Sequence, residues 1–172
     1  MHSENIVRSP LQPGVSAIEE ARFHLSRFPG NGPCLINLAN ACRLDNRLAD
    51  GLSWARWSCE PSIWPDGEVS PLAHQGMGNL LMDMGAYAAA DDVFRCADPN
   101  ARNSAILFHR SRALLGAGKL RLAWALAEAR LDHQPWCQEL PQQPYWLDWS
   151  EMSCLTLWDE QGFGDTLQAL RW

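Results

Sequence analysis

The sequence predicts an all-α fold of antiparallel helix pairs stacked in series, and three observations carry that prediction. Apolar residues recur at spacings of three, four and seven along most of residues 15–132, the period of helices with one buried face. Gly85, Gly118 and the pair Asp45-Asn46 interrupt these stripes, and the two glycines stand 33 residues apart, near the period of helix–turn–helix repeats. Pro29, Pro99 and Pro135 close units of the pattern, because a ring without an N–H disfavours continued helix.

In chain order, seven helices are expected over 15–28, 33–44, 47–59, 71–84, 87–97, 103–116 and 119–132. The first rests on Ala17, Ala21 and His24 ahead of Pro29. Leu35, Leu38, Ala39 and Cys42 form the stripe of the second, and Leu48, Gly51, Ala55 and Ser58 that of the third. The stretch Glu60–Pro71 contains three prolines, which exclude a helix through it, while Ile63 and Trp64 are apolar enough to fold back on the helices. Gly76, Met77, Leu80, Leu81 and Met84 build the fourth helix, and Tyr87, Ala90, Val93, Phe94 and Ala97 the fifth. The sixth carries Ala105–Phe108 and Ala113–Leu115. Gly116-Ala117-Gly118 then turns the chain into the seventh, with Leu120, Ala123, Ala127 and Leu131 on one face.

These residues resemble the tetratricopeptide (TPR) repeat. Gly78, Gly85, Tyr87, Ala90, Phe94, Ala97 and Pro99 follow its order of small residue, turn glycine, tyrosine, alanine, aromatic, alanine and proline. Ser111, Gly118, Leu120, Ala123, Ala127 and Pro135 repeat the order. The small residues at 78, 90, 111 and 123 would let paired helices approach closely. Pro99 comes about three residues early for the family pattern, so the fifth helix is expected to be short. The resemblance covers about residues 15–135 and implies a TPR-like superhelix of about seven antiparallel helices. It also implies a concave groove, lined by the first helix of each pair, that takes a peptide or another protein domain. Candidate partner-binding side chains on those helices are Asn37, Asn40, Arg43, His74, Asn79, Asp83, Arg102, Asn103, Arg110 and Arg112. Asn and Arg in a groove can hydrogen-bond a peptide backbone without reading its side chains closely.

Beyond residue 133 the pattern changes. Residues 134–153 form a Pro/Gln/Trp-rich connector, and Cys154–Trp158 is a short run of strand formers. Gly162-Phe163-Gly164-Asp165 and a helical stretch to Trp172 follow, giving a short strand–loop–helix extension over 154–172. The string Trp158-Asp159-Glu160-Gln161-Gly162-Phe163-Gly164-Asp165-Thr166-Leu167-Gln168 with Arg171-Trp172 resembles a segment of bacterial TPR-linked glycosyltransferases of the GT-B type. In that family this segment opens the catalytic domain. The resemblance implies that Gly162 and Gly164, candidate cofactor-binding residues, shape the loop beside the acceptor site, and that Asp165 removes a proton from an acceptor hydroxyl. Capping of the last helix is the other role open to Asp165. One strand and one helix do not make a nucleotide-sugar site, so no cofactor and no independent catalysis are expected of this chain. A nucleotide sugar enters only if a truncated or separately encoded catalytic domain completes the unit. Partners would then be a glycosyltransferase domain or its acceptor protein.

Composition narrows the remaining classes. An apolar share of 47% with 20% charged residues is that of one globular domain over 15–133, preceded by a tail over 1–14. The net charge of −6 argues against nucleic acid as partner. No run approaches a membrane span, and the N-terminus lacks a signal-peptide layout, so a cytoplasmic address is expected. The six cysteines are too scattered for a metal knuckle or a redox pair, and Cys34, Cys42 and Cys96 are expected to be buried thiols. Trp54, Trp57 and Trp124 are expected to pack between repeats, whereas Trp146 and Trp149 also suit docking on a neighbouring domain. Charge is uneven along the chain. Arg102, Arg110, Arg112, Lys119, Arg121 and Arg130 face only Glu128 between 101 and 131, while residues 132–170 hold seven acids and no Lys or Arg.

Overall fold

Residues 16–133 are described by a computed structural model, and every regular element among them is helical. The tail 1–14, the whole connector 134–153 and the extension with Gly162, Gly164 and Asp165 lie outside the described residues. The helices are α1 (Ala17–Arg27), α2 (Gly32–Leu44), α3 (Leu48–Ser58), α4 (Pro71–Asp83), α5 (Tyr87–Ala97), α6 (Ser104–Gly116) and α7 (Leu120–Ala127), followed by a single turn, α8 (Arg130–His133).

Four of the helices begin on a side-chain cap that satisfies an otherwise orphaned backbone N–H. Ser16 and Glu19 form a reciprocal capping box on α1. Asn31 accepts from the Cys34 N–H at 3.0 Å, Ser70 precedes Pro71 at the start of α4, and Asn103 accepts from the Ile106 N–H at 3.2 Å.

The first helix of each pair ends in the same way three times. Asn46, Gly85 and Gly118 take positive φ of 58°, 76° and 73°. In each turn the next residue's N–H reaches back to a carbonyl: Arg47 to Cys42 at 2.8 Å, Ala86 to Leu81 at 2.8 Å, and Lys119 to Leu114 at 2.9 Å. This is the Schellman arrangement, in which the last helical carbonyls find donors and the chain reverses. The longer interval between the first two turns accommodates the 60–70 loop. That loop holds a short 3-10 turn at Pro61–Ile63, and its Trp64 folds back as expected. The Trp64 Nε1–H donates to the Ser58 carbonyl at 3.0 Å, and its ring lies 2.6 Å from where a Cβ on Gly32 would stand.

α2 packs on α3, α4 on α5 and α6 on α7, and the pairs join through α3 on α4 and α5 on α6. α2, α4 and α6 also touch in succession, whereas no comparable contact joins α3 to α5 or α5 to α7 among the described residues. The first helices therefore form one continuous row. The core is correspondingly a string of small clusters. Ile18, Ala21, Leu38 and Cys42 make one, Ala39, Leu52, Ala55 and Leu80 the next, and Ala90, Phe94, Ile106 and Ala113 a third. Trp54 packs against the first two and Leu81 against the last two, so each cluster is tied to its neighbour.

The small residues do what the pattern requires. Ala90, Ser111 and Ala123 are buried, and a Cβ on Gly78 would stand 2.3 Å from Phe94 Cζ, in collision with the ring. Gly116 likewise lies directly under the ring of Tyr87, which seats α6 on α5.

α5 ends at Ala97 as expected, and the Asp98 carboxylate closes the proline turn on the Asn103 N–H at 2.7 Å. Three expectations need correction. The seventh helix stops at Ala127: Ala129 bonds back only three residues, to Leu126, and Arg130 takes the Ala127 carbonyl at 3.1 Å. Cys34 and Cys42 are buried, but Cys96 is exposed, since it sits about 200° around α5 from Phe94. Trp54 stacks on Trp57 with centroids 6.0 Å apart, yet Trp57 is partly and Trp124 largely exposed.

Two glycine substitutions separate backbone from packing. Gly85→Ala should cost about 1–2 kcal/mol, the left-handed backbone penalty alone, because nothing lies within 4 Å of its would-be Cβ. Gly78→Ala should cost about 1–3 kcal/mol through collision with Phe94, and less in a Phe94→Leu background. Denaturant midpoints of the four variants check this. Equal costs for Gly78→Ala in both backgrounds would show that the ring is not the obstacle.

Candidate functional site

The three left-handed turns give a common register for the first-helix row. Six residues before Asn46, Gly85 and Gly118 stand Asn40, Asn79 and Arg112. Asn40 on α2 and Asn79 on α4 are half-buried, and Arg112 on α6 is exposed, so one polar side chain per pair occupies the same place on adjoining helices. The helices are close here, for Asn40 Oδ1 is 4.0 Å from the would-be Cβ of Gly76 on α4. Asn79 Oδ1 is buried and accepts no hydrogen bond, which costs its desolvation.

The other sequence candidates divide by what they touch. Arg43 and Asp83 pair across α2 and α4 at 2.8 Å, leaving the buried Arg43 Nε without a partner. Arg110 turns away from the row and pairs with Asp91 of α5 at 2.6 Å, the two side chains only 18% and 9% exposed. Asn103 is engaged in capping α6, and Arg102 and Asn37 are exposed. His74 is half-buried on α4, and its buried Nδ1 lacks a well-placed partner. Burial pushes its pKa below the ordinary histidine value, with the backbone at Ser70 acting weakly the other way.

Two connections escaped the sequence reading. Gln75 Nε2 and His109 Nε2 lie 2.6 Å apart between α4 and α6, and the His109 ring stacks on Phe94 with centroids 5.9 Å apart. Both residues are unremarkable in sequence. Asp91 was detectable in principle, since an acid beside Ala90 on the apolar stripe of α5 demands a buried partner.

Burial raises the thiol pKa of Cys34 and Cys42, and pushes that of Cys59 up to about 11. Among the described residues no group of three His, Cys, Asp or Glu side chains could hold a metal ion, and no helix is long and apolar enough to cross a membrane. Neither a family model nor a curated protein matches the chain.

The two ion pairs should respond differently to loss of their arginine. Arg110→Ala strands the nearly buried Asp91 carboxylate and should cost about 3 kcal/mol. Arg43→Ala removes a partly exposed pair and should cost about 1 kcal/mol or less. Thermal or denaturant unfolding distinguishes them, and equal small costs would remove the structural role given to Asp91.

His74 provides a pH test. Its folded pKa lies below the unfolded value of about 6.5, so its contribution is present above that pH and is lost as pH falls toward the folded pKa. His74→Gln should therefore flatten the decline in stability between about pH 7 and pH 5. Identical pH slopes for variant and wild type would contradict the assignment.

Proposed function

We propose that this protein is a TPR-type interaction scaffold whose first-helix row binds an extended peptide segment of a partner protein. The observation that carries the reading is the register of Asn40, Asn79 and Arg112 on adjoining first helices. Packed helices lie about 8–10 Å apart, and an extended chain advances about 3.3 Å per residue. One polar group per helix thus meets an extended peptide about every third residue. The partly exposed Asn79 side-chain amide donates to a peptide carbonyl, and Arg112 donates to a carbonyl or carboxylate. The concave superhelix that the TPR resemblance implies would wrap these groups around the ligand.

The test is selection of peptides on the full chain from a random library. Binding of enriched peptides should weaken about fivefold in Asn79→Ala, the loss of one hydrogen bond, and further in the double variant with Arg112→Ala, with thermal stability retained. Peptides bound equally well by both variants would place the ligand elsewhere.

A second reading rests on the Glu160–Gln168 string. In it the helical row recruits the acceptor of a glycosyltransferase whose catalytic domain is completed by further sequence or another polypeptide. Co-purification with a Rossmann-type polypeptide, followed by nucleotide-sugar turnover, is its expected outcome. A complex without such turnover removes this reading.

A further inference from the structure

Each second helix has a face that receives the next pair. Two and six residues after the left-handed turn, α5 places Tyr87 and Asp91 against Gly116 and Arg110 of α6. α3 places Leu48 and Leu52 at the same positions, in the cluster with Leu80 of α4. The equivalent residues of α7 are Leu120 and Trp124, and these are 56% and 64% exposed. The last helix of a stacked array normally shows a polar outer face to water. α7 shows a leucine and a tryptophan instead, on the very face that its predecessors cover.

The sequence neighbours of Leu120, Lys119 and Arg121, are both exposed cations, and Glu128 beyond Trp124 is paired with Arg130. The chain beyond α8 has the opposite character: residues 134–153 contain Glu139, Asp148 and Glu151, no lysine or arginine, and the apolar Trp136, Trp146, Trp149 and Met152. Reach is no obstacle, since the 20 residues of 134–153 span up to about 66 Å when extended, against about 12 Å for the length of α7.

We infer that the Leu120–Trp124 face of α7 is the docking site of this chain's own acidic, tryptophan-rich segment 134–153. The segment supplies aromatic surface to the two apolar side chains and carboxylates to the flanking cations. It thereby closes the array where a further helix pair would otherwise stack. The inference rests on the register of the second helices and is independent of what the first-helix row binds.

Lys119 is the only lysine in the chain, which makes a zero-length carbodiimide cross-link a direct readout. An equimolar mixture of ¹⁵N-labelled and unlabelled full-length protein is cross-linked and digested. The expected products are unmixed, intrachain links from Lys119 to Glu139, Asp148 or Glu151. They should fall at least fivefold in Trp124→Glu and in Leu120→Glu, two exposed positions, with helicity unchanged by circular dichroism. If either variant loses helicity, Arg121→Glu, which alters only the charge beside the face, should show the same loss of links. Links found only between labelled and unlabelled chains would make a second copy the occupant and overturn the proposal. So would the absence of links to residues 134–153, or links that persist undiminished in variants that retain their helicity.

Discussion

A residue held in the left-handed region at the end of each first helix is the constraint on which the rest depends. Asn46, Gly85 and Gly118 reverse the chain through the same pair of backward hydrogen bonds. Because the reversal is the same each time, a given count from the turn always arrives at the same face of a helix. Six residues back lies the polar row, and six residues forward lies the surface that receives the next pair. Small residues then set how close the partners come, most tightly at Gly78 beneath Phe94. Stability is distributed accordingly: each cluster of buried side chains joins only three successive helices, the quasi-one-dimensional arrangement of repeat proteins.

The helices were legible in sequence because their causes are local. Apolar period, capping Asn and Ser residues, turn glycines and prolines all act within a few residues of the element they specify. Observed and expected bounds for α2 through α6 differ by at most one residue at either end. The break after Ala127 was not legible, since it depends on a three-residue hydrogen bond and an arginine that takes a carbonyl. Burial was read well for Cys34 and Cys42 but not for Cys96 or Trp124. Whether an apolar residue is covered depends on which helix lies opposite, and periodicity does not report that.

The candidate site was legible in residue type but not in arrangement. Of the ten groove candidates, Asn40, Asn79 and Arg112 fall in register, whereas Arg43 with Asp83, Arg110 with Asp91 and Asn103 at its cap are engaged in holding helices together. A polar residue on a first helix serves either purpose, and only the position of its neighbours distinguishes them. The Gln75–His109 link shows the same ambiguity from the other side, a polar contact between α4 and α6 built from residues that sequence did not single out.

Trp64 extends this logic to the one irregular stretch. Its indole lies where a side chain on Gly32 would stand, and its N–H bonds the Ser58 carbonyl, so the loop after α3 braces the start of α2. The two positions are therefore a lock and its key in evolutionary terms. A homologue that replaces Gly32 by a larger residue must also give up the tryptophan or re-route the loop. Covariation between positions 32 and 64 is the record that such a brace would leave in a family of sequences.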